Sequence, residues 1–334
     1  MTGPEAAALP RAGDPGMRFG YNDGLVAGSA KIGLLPQSGS DSVRLRINWR
    51  AIEPRPGEYD WSHFDPLYAQ LLEIGIRPLW YVMEAPCWAG DAQIPCDPVA
   101  NSAGAPGPEH TDDYAGFVAA VAQRYPESLA IEIGNEVNDS TFWAHGQDPV
   151  GYTNLLAATA TAIDAAGSEL PIVAGGLAPI ADPKDGEVSW RTYLGAMLAN
   201  GAAGYVDALA FHPYVRTGPG EDPGAVVGAL VDKVRAFMTA RGAGAEPLWI
   251  TETGLTMASR PPRTGQQQAR GLVSILTALR DREIPVVIVH RLVDEVRADF
   301  PQEAGFGVVE ADEGTRKPAY CAIAAWRGEP CSTG

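Results

Sequence analysis

Two glutamates each follow a short apolar stretch of the sequence that has the composition of a buried strand. Residues 129–133 precede Asn135 and Glu136, and residues 247–251 precede Glu252. A carboxylate at the end of a buried strand is costly to desolvate, so it is usually paired with another group or used in chemistry. If the two glutamates face each other, one can act as acid and base and the other as nucleophile or base. Hydrolysis of a glycosidic bond requires this pairing.

Eight segments of the chain have the length and composition of strands, and helical patterns alternate with them. The predicted strands are residues 17–23, 42–49, 77–83, 128–135, 171–176, 206–212, 247–252 and 284–290. The helical patterns cover residues 64–75, 112–124, 149–166, 190–200, 224–241 and 264–281. Alternation of this kind predicts parallel strands joined by right-handed crossovers. Eight repeats predict an α/β fold that closes on itself, a (β/α)8 TIM barrel.

The 334 residues are predicted to form one domain, because α/β barrels of this length share a single core. We expect the barrel to span residues 17–328, between a flexible tail of residues 1–16 and a C-terminal tail of residues 329–334. Loops that follow strands lie on the catalytic face of such a barrel. The segments 85–108 and 214–223 follow strands, and long loops in that position usually shape a binding cleft.

Several short motifs resemble one family of enzymes, and they occur in the order that this family requires. They are Val43-Arg44-Leu45, Pro86-Cys87-Trp88-Ala89, Asn135-Glu136, Phe211-His212-Pro213-Tyr214, Trp249-Ile250-Thr251-Glu252 and Phe306-Gly307-Val308. Together they resemble the clan A glycoside hydrolases, closest to families 39 and 5, over residues 17–328. Asn-Glu alone is a weak signal. Asn-Glu on strand 4, Thr-Glu on strand 7 and His-Pro-Tyr between them form a specific combination.

The resemblance implies a retaining glycoside hydrolase that cleaves an oligosaccharide, a polysaccharide or a glycoconjugate. Glu136 would be the acid/base and Glu252 the nucleophile, with their carboxyl groups about 5–5.5 Å apart. Arg44 would point at the nucleophile and keep it ionised. Asn135 would hold the 2-hydroxyl of the sugar, a contact that strengthens in the transition state.

Further candidates for substrate binding lie after the predicted strands. We expect His212 or Tyr214 to bond the nucleophile or the sugar, with a satisfied core position as the alternative for His212. Trp88 and Trp143 are expected to stack on sugar rings, with core packing as the alternative. Many clan A members carry a Trp at the end of strand 8. This chain has none there, so we expect His290 or Arg291 to take that place.

Two other ionisable residues near the motifs have different interpretations. Glu132 lies deeper in strand 4 and is expected to be a structural partner of Arg44 or Arg46. Arg46 itself is expected to be solvated or to face the helices. Glu84, after strand 3, has no assigned role.

The net charge of −16 excludes some partners. Nucleic-acid binding needs a basic surface that displaces counterions, and an acidic protein also repels strongly anionic polysaccharides. No stretch of 18 apolar residues exists, so no membrane span is expected. Residues 1–16 lack the basic and apolar regions of a signal peptide and are expected to be a tail.

The four cysteines form two local pairs, Cys87 with Cys96 and Cys321 with Cys331. Local spacing favours sequential pairing among the three possible connectivities. Two disulfides would mean an oxidising compartment, so a secreted protein is expected, whose signal peptide is not part of this sequence. Four reduced thiols in a cytosolic enzyme are the alternative.

Other functions of a barrel predict residues that this sequence does not supply. A metal-dependent hydrolase needs clustered His ligands, but the five histidines show no paired spacing, and no metal or cofactor is expected. A Schiff-base enzyme needs a strand lysine, but the four lysines all lie outside the predicted strands. A non-catalytic carbohydrate-binding barrel remains the alternative to an enzyme. Such proteins usually lose a catalytic carboxylate, and both are present here.

Overall fold

The computed structural model describes residues 16–93, 95–100, 102–143, 148–184, 187–218, 220–295 and 304–331. Eight parallel strands form its centre. They are β1 (Arg18–Asn22), β2 (Ser42–Asn48), β3 (Arg77–Met83), β4 (Ala130–Ile133), β5 (Ile172–Ala174), β6 (Leu209–Ala210), β7 (Leu248–Thr253) and β8 (Val286–His290). Each begins close to the residue that the sequence predicted.

The strands run in the order β5-β4-β3-β2-β1-β8-β7-β6, so that the first strand pairs with both the second and the last. The two outer strands of this order also meet. Val173 pairs with Ala208, and Leu177 pairs with Phe211, both in parallel register. The amide of Ala174 donates to the carbonyl of Ala208 at 3.0 Å. These contacts close the ring and confirm the predicted (β/α)8 TIM barrel.

Helices surround the barrel and cover its outer face. They are α1 (Lys31–Gln37), α2 (Trp49–Ile52), α3 (Phe64–Glu73), α4 (Thr111–Arg124), α5 (Pro149–Ala165), α6 (Trp190–Ala199), α7 (Pro223–Thr239), α8 (Gly265–Arg280) and α9 (Pro318–Arg327). Local sequence starts several of them. Asp148 and Asp222 cap α5 and α7, each with Pro at the next position. Thr264 and Gln267 form a reciprocal capping box at the start of α8.

The strands bury side chains on both faces, as parallel strands in a barrel must. One apolar cluster fills the interior of the barrel towards the amino-terminal ends of the strands, which is called the lower end here. It consists of Leu79, Leu129, Ala130, Val173, Ala208, Ala210, Trp249, Val286 and Ile288. Polar residues occupy the interior above this cluster, towards the carboxyl ends of the strands. The apolar layer therefore closes the lower end of the barrel and leaves the upper end for chemistry.

Three helices outside the barrel strands, α1, α2 and α9, were not predicted from the sequence. The first contains Gly33 and Pro36, and the second has only four residues, so neither shows a long helical repeat. The tails predicted for residues 1–16 and 329–334 lie largely outside the described residues, and these boundaries stay a prediction.

Both cysteine pairs are joined as predicted. Cys87 and Cys96 have Cα atoms 5.5 Å apart within the loop after β3, and Cys321 and Cys331 lie 5.2 Å apart. The second disulfide ties α9 to the segment that follows it. In the part of the chain that the structure describes, no helix combines the length and the apolar character needed to cross a bilayer.

Candidate active site

Glu136 lies in a tight turn directly after β4. Gly134 has φ of +79°, and Glu136 itself has φ of +44°, a left-handed conformation that costs energy for a residue with a side chain. The amide of Glu136 donates to the carbonyl of Gly176 at 2.8 Å and fixes this conformation. The turn thus directs the carboxyl group to the mouth of the barrel, where the residue is 9% exposed.

Glu252 lies within β7 and is held by three neutral or cationic donors. Arg44 Nη1 and Asn22 Nδ2 donate to Oε1 at 2.5 and 2.6 Å, and the hydroxyl of Tyr214 donates to Oε2 at 2.8 Å. Burial would raise the pKa of Glu252, but the positive charge of the nearby Arg44 opposes this effect, and the pKa is held well below its ordinary value. His290 and the Tyr214 hydroxyl act in the same direction. Glu252 is therefore held as a carboxylate.

Glu136 has the opposite environment. Burial raises its pKa above the ordinary value, and the charge of Glu252 adds to this effect. A cationic His212, with Nδ1 3.0 Å from Oε1 of Glu136, would oppose the shift without reversing it. One carboxyl group of the site thus favours the protonated form and the other the ionised form, as an acid and a nucleophile require.

His212 lies close to both carboxyl groups. Its Nδ1 is 3.0 Å from Oε1 of Glu136 and 4.0 Å from Oε2 of Glu252. The separation of these two oxygens cannot exceed the sum of the two distances. The two carboxyl groups are therefore close neighbours at the mouth of the barrel.

Arg44 connects the deeper part of the site. Its Nε donates to Glu132 at 2.6 Å, and its Nη2 donates to Oδ1 of Asn135 at 2.7 Å. The guanidinium also lies over the ring of Tyr81, with Cζ 3.9 Å from the ring centroid. Arg44 and Glu132 are both fully buried. Glu132 is therefore a structural partner of Arg44, as expected.

Three aromatic or imidazole rings form the wall beside Glu252. The ring of Tyr214 lies 6.3 Å from that of His290 and 5.9 Å from that of Phe306, both edge-on. Nδ1 of His290 is 3.4 Å from Nδ2 of Asn22. Arg291 instead pairs with Asp23. His290, and not Arg291, therefore lies beside Asn22 and Tyr214 at the end of β8.

The two tryptophans proposed as stacking platforms occupy different environments. Trp88 is partly exposed, and its indole nitrogen donates to the carbonyl of Glu53 at 3.2 Å. Trp143 is only 4% exposed, and its ring packs against the backbone of Gly134 and edge-on to Tyr114. The position of Trp143 favours core packing, which was the alternative, whereas Trp88 keeps a surface for a ligand.

Sequence reasoning gave no site role to two residues that contact the site. Asn22 bonds Glu252, and Thr251 lies between His212 and Glu132. The only local signal for Asn22 was a carboxamide at the end of a strand. Thr251 resembled an ordinary β-branched strand residue.

Arg46 and Glu84 also form a group at the carboxyl ends of β2 and β3. Arg46 shares the inward register of Arg44 by strand alternation and is not helix-facing. Its side chain is half-exposed and pairs with Glu84 at 2.7 Å. Glu84 also accepts from Asn48 and Arg50, so it organises the rim of the barrel. Among the described residues, no group of three or more His, Cys, Asp or Glu is placed to hold a metal ion.

Solved structures of glycoside hydrolases share this barrel. A family 39 glycoside hydrolase from Bacteroides cellulosilyticus WH2 matches with a TM-score of 0.71 and 19% identity, over 92% of this chain and 63% of that protein. A GH39 β-xylosidase from Caulobacter crescentus matches with a TM-score of 0.66 and 19% identity, over 97% and 73%. GH5_18 from Streptomyces cattleya, solved with GlcNAc, matches with a TM-score of 0.67 and 20% identity, over 95% and 82%.

These similarities agree with the families that the sequence motifs indicated. At identities near one fifth they establish a shared fold, and the chain spans less than two thirds of the length of the first of these proteins. No protein-family model and no curated protein matches the chain in sequence.

Proposed function

We propose that this chain is a retaining glycoside hydrolase of the clan A type, with Glu252 as nucleophile and Glu136 as acid/base. One observation carries the proposal. A single imidazole, His212, lies within 4.0 Å of both carboxyl groups, and their surroundings lower the pKa of one and raise that of the other. Two neighbouring carboxyl groups with opposed proton affinity suit double displacement at a glycosidic carbon.

The reaction has two steps. In the first, Oε2 or Oε1 of Glu252 attacks the anomeric carbon while Glu136 gives its proton to the leaving oxygen, so a glycosyl ester forms and the glycosidic bond breaks. In the second, Glu136 takes a proton from water, and the hydroxyl attacks the same carbon and releases Glu252. Two inversions return the original configuration.

The groups around Glu252 have distinct tasks in this mechanism. Arg44 and Asn22 hold Oε1, while Tyr214 bonds Oε2 and can move with it as charge leaves the carboxylate. Asn135 must turn its Oδ1 to Arg44, because a guanidinium has no acceptor. Its amide N–H groups are then directed elsewhere, and we assign them to the 2-hydroxyl of the sugar.

The substrate we propose is a neutral, β-linked oligosaccharide, polysaccharide or glycoconjugate. Similar solved structures include a β-xylosidase and an exo-β-1,4-mannosidase. The net charge of −16 argues against an anionic polymer. The two disulfides support action in an oxidising compartment, so we propose a secreted enzyme.

A screen of 4-nitrophenyl β-xyloside, β-mannoside and β-glucoside tests the activity, followed by proton NMR of the first product. Retention of the anomer is expected, and initial inversion would exclude Glu252 as nucleophile. Glu252→Ala should lose activity on every substrate. Glu136→Ala should keep the first step on a 2,4-dinitrophenyl glycoside, where a good leaving group needs no acid, and added azide should restore its turnover.

If Glu136→Ala and Glu252→Ala respond identically to azide on an activated substrate, the assigned roles of the two glutamates are wrong. Sugar binding by the wild-type protein without any hydrolysis would favour a non-catalytic carbohydrate-binding barrel instead.

A further inference from the structure

Glu132 accepts hydrogen bonds from three sides at the base of the site. Arg44 donates through Nε at 2.6 Å and through Nη2 at 3.1 Å, and the amide of Gly176 donates at 2.9 Å. Thr251 Oγ1 lies 3.0 Å from Oε1 of the same carboxylate. A carboxylate in a two-point ion pair with a guanidinium is ionised and can only accept. The hydroxyl proton of Thr251 therefore points to Glu132.

The direction of this bond determines the next one. Thr251 has a single proton, so its oxygen must accept from Nε2 of His212, which lies 3.0 Å away. The backbone of Gly176 packs closely against Nε2 of His212, because a Cβ atom added to that glycine would lie only 2.1 Å from Nε2. No further hydrogen-bond partner fits on that side. A neutral His212 therefore carries its proton on Nε2 and turns the lone pair of Nδ1 to Oε1 of Glu136 at 3.0 Å.

We propose that Glu132 is a positioning residue that acts through Thr251 and holds neutral His212 as the Nε2–H tautomer. In this tautomer, Nδ1 of His212 accepts a hydrogen bond from the protonated carboxyl group of Glu136. The inference rests on the proposed function, because the proton held in this way is the one that the leaving group takes. The opposite tautomer would place an N–H against Glu136 and favour its ionised form, which cannot protonate a leaving oxygen.

The charged and titratable groups around this chain come from several strands. Glu136 faces His212 from the segment after β6, Glu252 from β7 and Asp139 from its own loop. His212 faces both glutamates, and its ring lies edge-on to that of Tyr214 at 6.4 Å. Burial, Glu252 and Asp139 favour a protonated Glu136, and only a donating or cationic His212 would oppose them. The neutral Nε2–H tautomer removes that opposition.

Thr251→Val tests the inference with little change in volume. The variant frees neutral His212 to take the Nδ1–H tautomer and donate to ionised Glu136. The alkaline limb of kcat/KM on an unactivated oligosaccharide should then move by about one pH unit to lower pH. Thr251→Ser keeps the hydroxyl and should keep the wild-type limb. On a 2,4-dinitrophenyl glycoside, Thr251→Val should cause no such shift, because that step needs no acid.

Thr253→Val is the matched control on the other side of Glu252. Thr253 is buried, and its hydroxyl has no hydrogen-bond partner among the described residues. Its alkaline limb should equal that of the wild type. The proposed role of Thr251 is overturned if the alkaline limb of Thr251→Val lies at the same pH as that of the wild type. It is also overturned if Thr253→Val shifts this limb as far as Thr251→Val does.

The tautomer itself can be measured without any activity. In protein with 15N-labelled histidine, His212 is assigned by comparison with His212→Asn, and its Nε2 should carry the proton at neutral pH. A neutral Nδ1–H form, or an imidazolium beside an ionised Glu136, overturns the inference. Absence of hydrolysis by the wild type would instead remove the proposed function, and the NMR measurement would still decide the tautomer.

Discussion

Arg44 donates to Oε1 of Glu252 at 2.5 Å from a position with no solvent exposure. The same guanidinium spans two other acceptors, Glu132 and Asn135. A planar group with five donors can hold three acceptors at fixed angles, whereas a lysine offers one mobile ammonium. The ionisation of Glu252 and the orientation of Asn135 therefore depend on one side chain.

Arg44→Lys should lower kcat/KM by roughly 10- to 100-fold, because a hydrogen bond to a charged group contributes about 1.5–3 kcal/mol. The pH dependence has a definite sign. Activity needs ionised Glu252, whose pKa is held below its ordinary value, so its loss of activity in acid lies at low pH. Without the guanidinium the pKa rises, and the acidic limb of kcat/KM should move to higher pH.

Arg46→Lys is the control for this experiment, since Arg46 lies on the same strand face but its side chain is half-exposed and pairs with Glu84. Its acidic limb should match that of the wild type. A shift of equal size in both variants would mean that general positive charge, and not the Arg44 contact, sets the ionisation of Glu252.

The barrel was predictable from the sequence because each strand is a short apolar segment between clear turn or helix signals. The exact lengths of the strands were less predictable. Residues 128–135 were predicted as one strand, but regular pairing in β4 ends at Ile133, since Gly134 turns with a φ of +79°. The short helices α1 and α2 were missed because too few residues are present to show a 3.6-residue repeat.

The two glutamates could be named from sequence because each follows a buried strand, where a charge is costly, whereas Arg44 was named from its match to the family motif. Asn22 could not be found, since its contact with Glu252 joins residues 230 apart and a carboxamide costs less to bury than a charge. The burial of Trp143 was also hidden. It depends on the space left by Gly134, which only the folded turn defines.

Glu136→Gln should make the protein more stable at high pH. The pKa of Glu136 is raised in the folded state, so the group stabilises the fold below its unfolded pKa and loses that contribution as pH rises through the folded pKa. A neutral amide removes this loss. The melting temperature of the variant should exceed that of the wild type at pH 8, and the difference should be smaller at pH 5.

Glu73→Gln provides the comparison, because Glu73 is exposed at the end of α3. It should show no gain that depends on pH. A gain for Glu136→Gln that is the same at pH 5 and pH 8 would contradict the assigned rise in pKa.

The cysteines should be fully oxidised in the native protein. Thiol titration after denaturation without reductant should detect none, and four should appear after reduction. Replacing both Cys321 and Cys331 by Ser should lower stability by about 2–3 kcal/mol, from the closure entropy of a short loop. Titration of four thiols before reduction would rule out both disulfides.

Trp88 and Trp143 should respond differently to truncation, because one is partly exposed and the other is enclosed. Trp143→Ala removes a ring that is 4% exposed and packs between Gly134 and Tyr114, so it should cost about 3–5 kcal/mol of stability. Any loss of kcat/KM should be similar on a tetrasaccharide and on an aryl monosaccharide, since a loosened barrel affects both.

Trp88→Ala should instead distinguish the two substrates. The indole is anchored by its bond to the carbonyl of Glu53 and by edge-on contact with Trp49, which leaves part of the ring open beside the loop after β3. Ring stacking contributes about 0.5–1.5 kcal/mol, and remote binding energy can be used at the reacting centre, so kcat/KM on a tetrasaccharide should fall roughly 3- to 10-fold. An aryl monosaccharide should lose little. Equal losses on both would mean that Trp88 supports the loop or lines only the first sugar site, which would favour an exo-acting enzyme with a pocket.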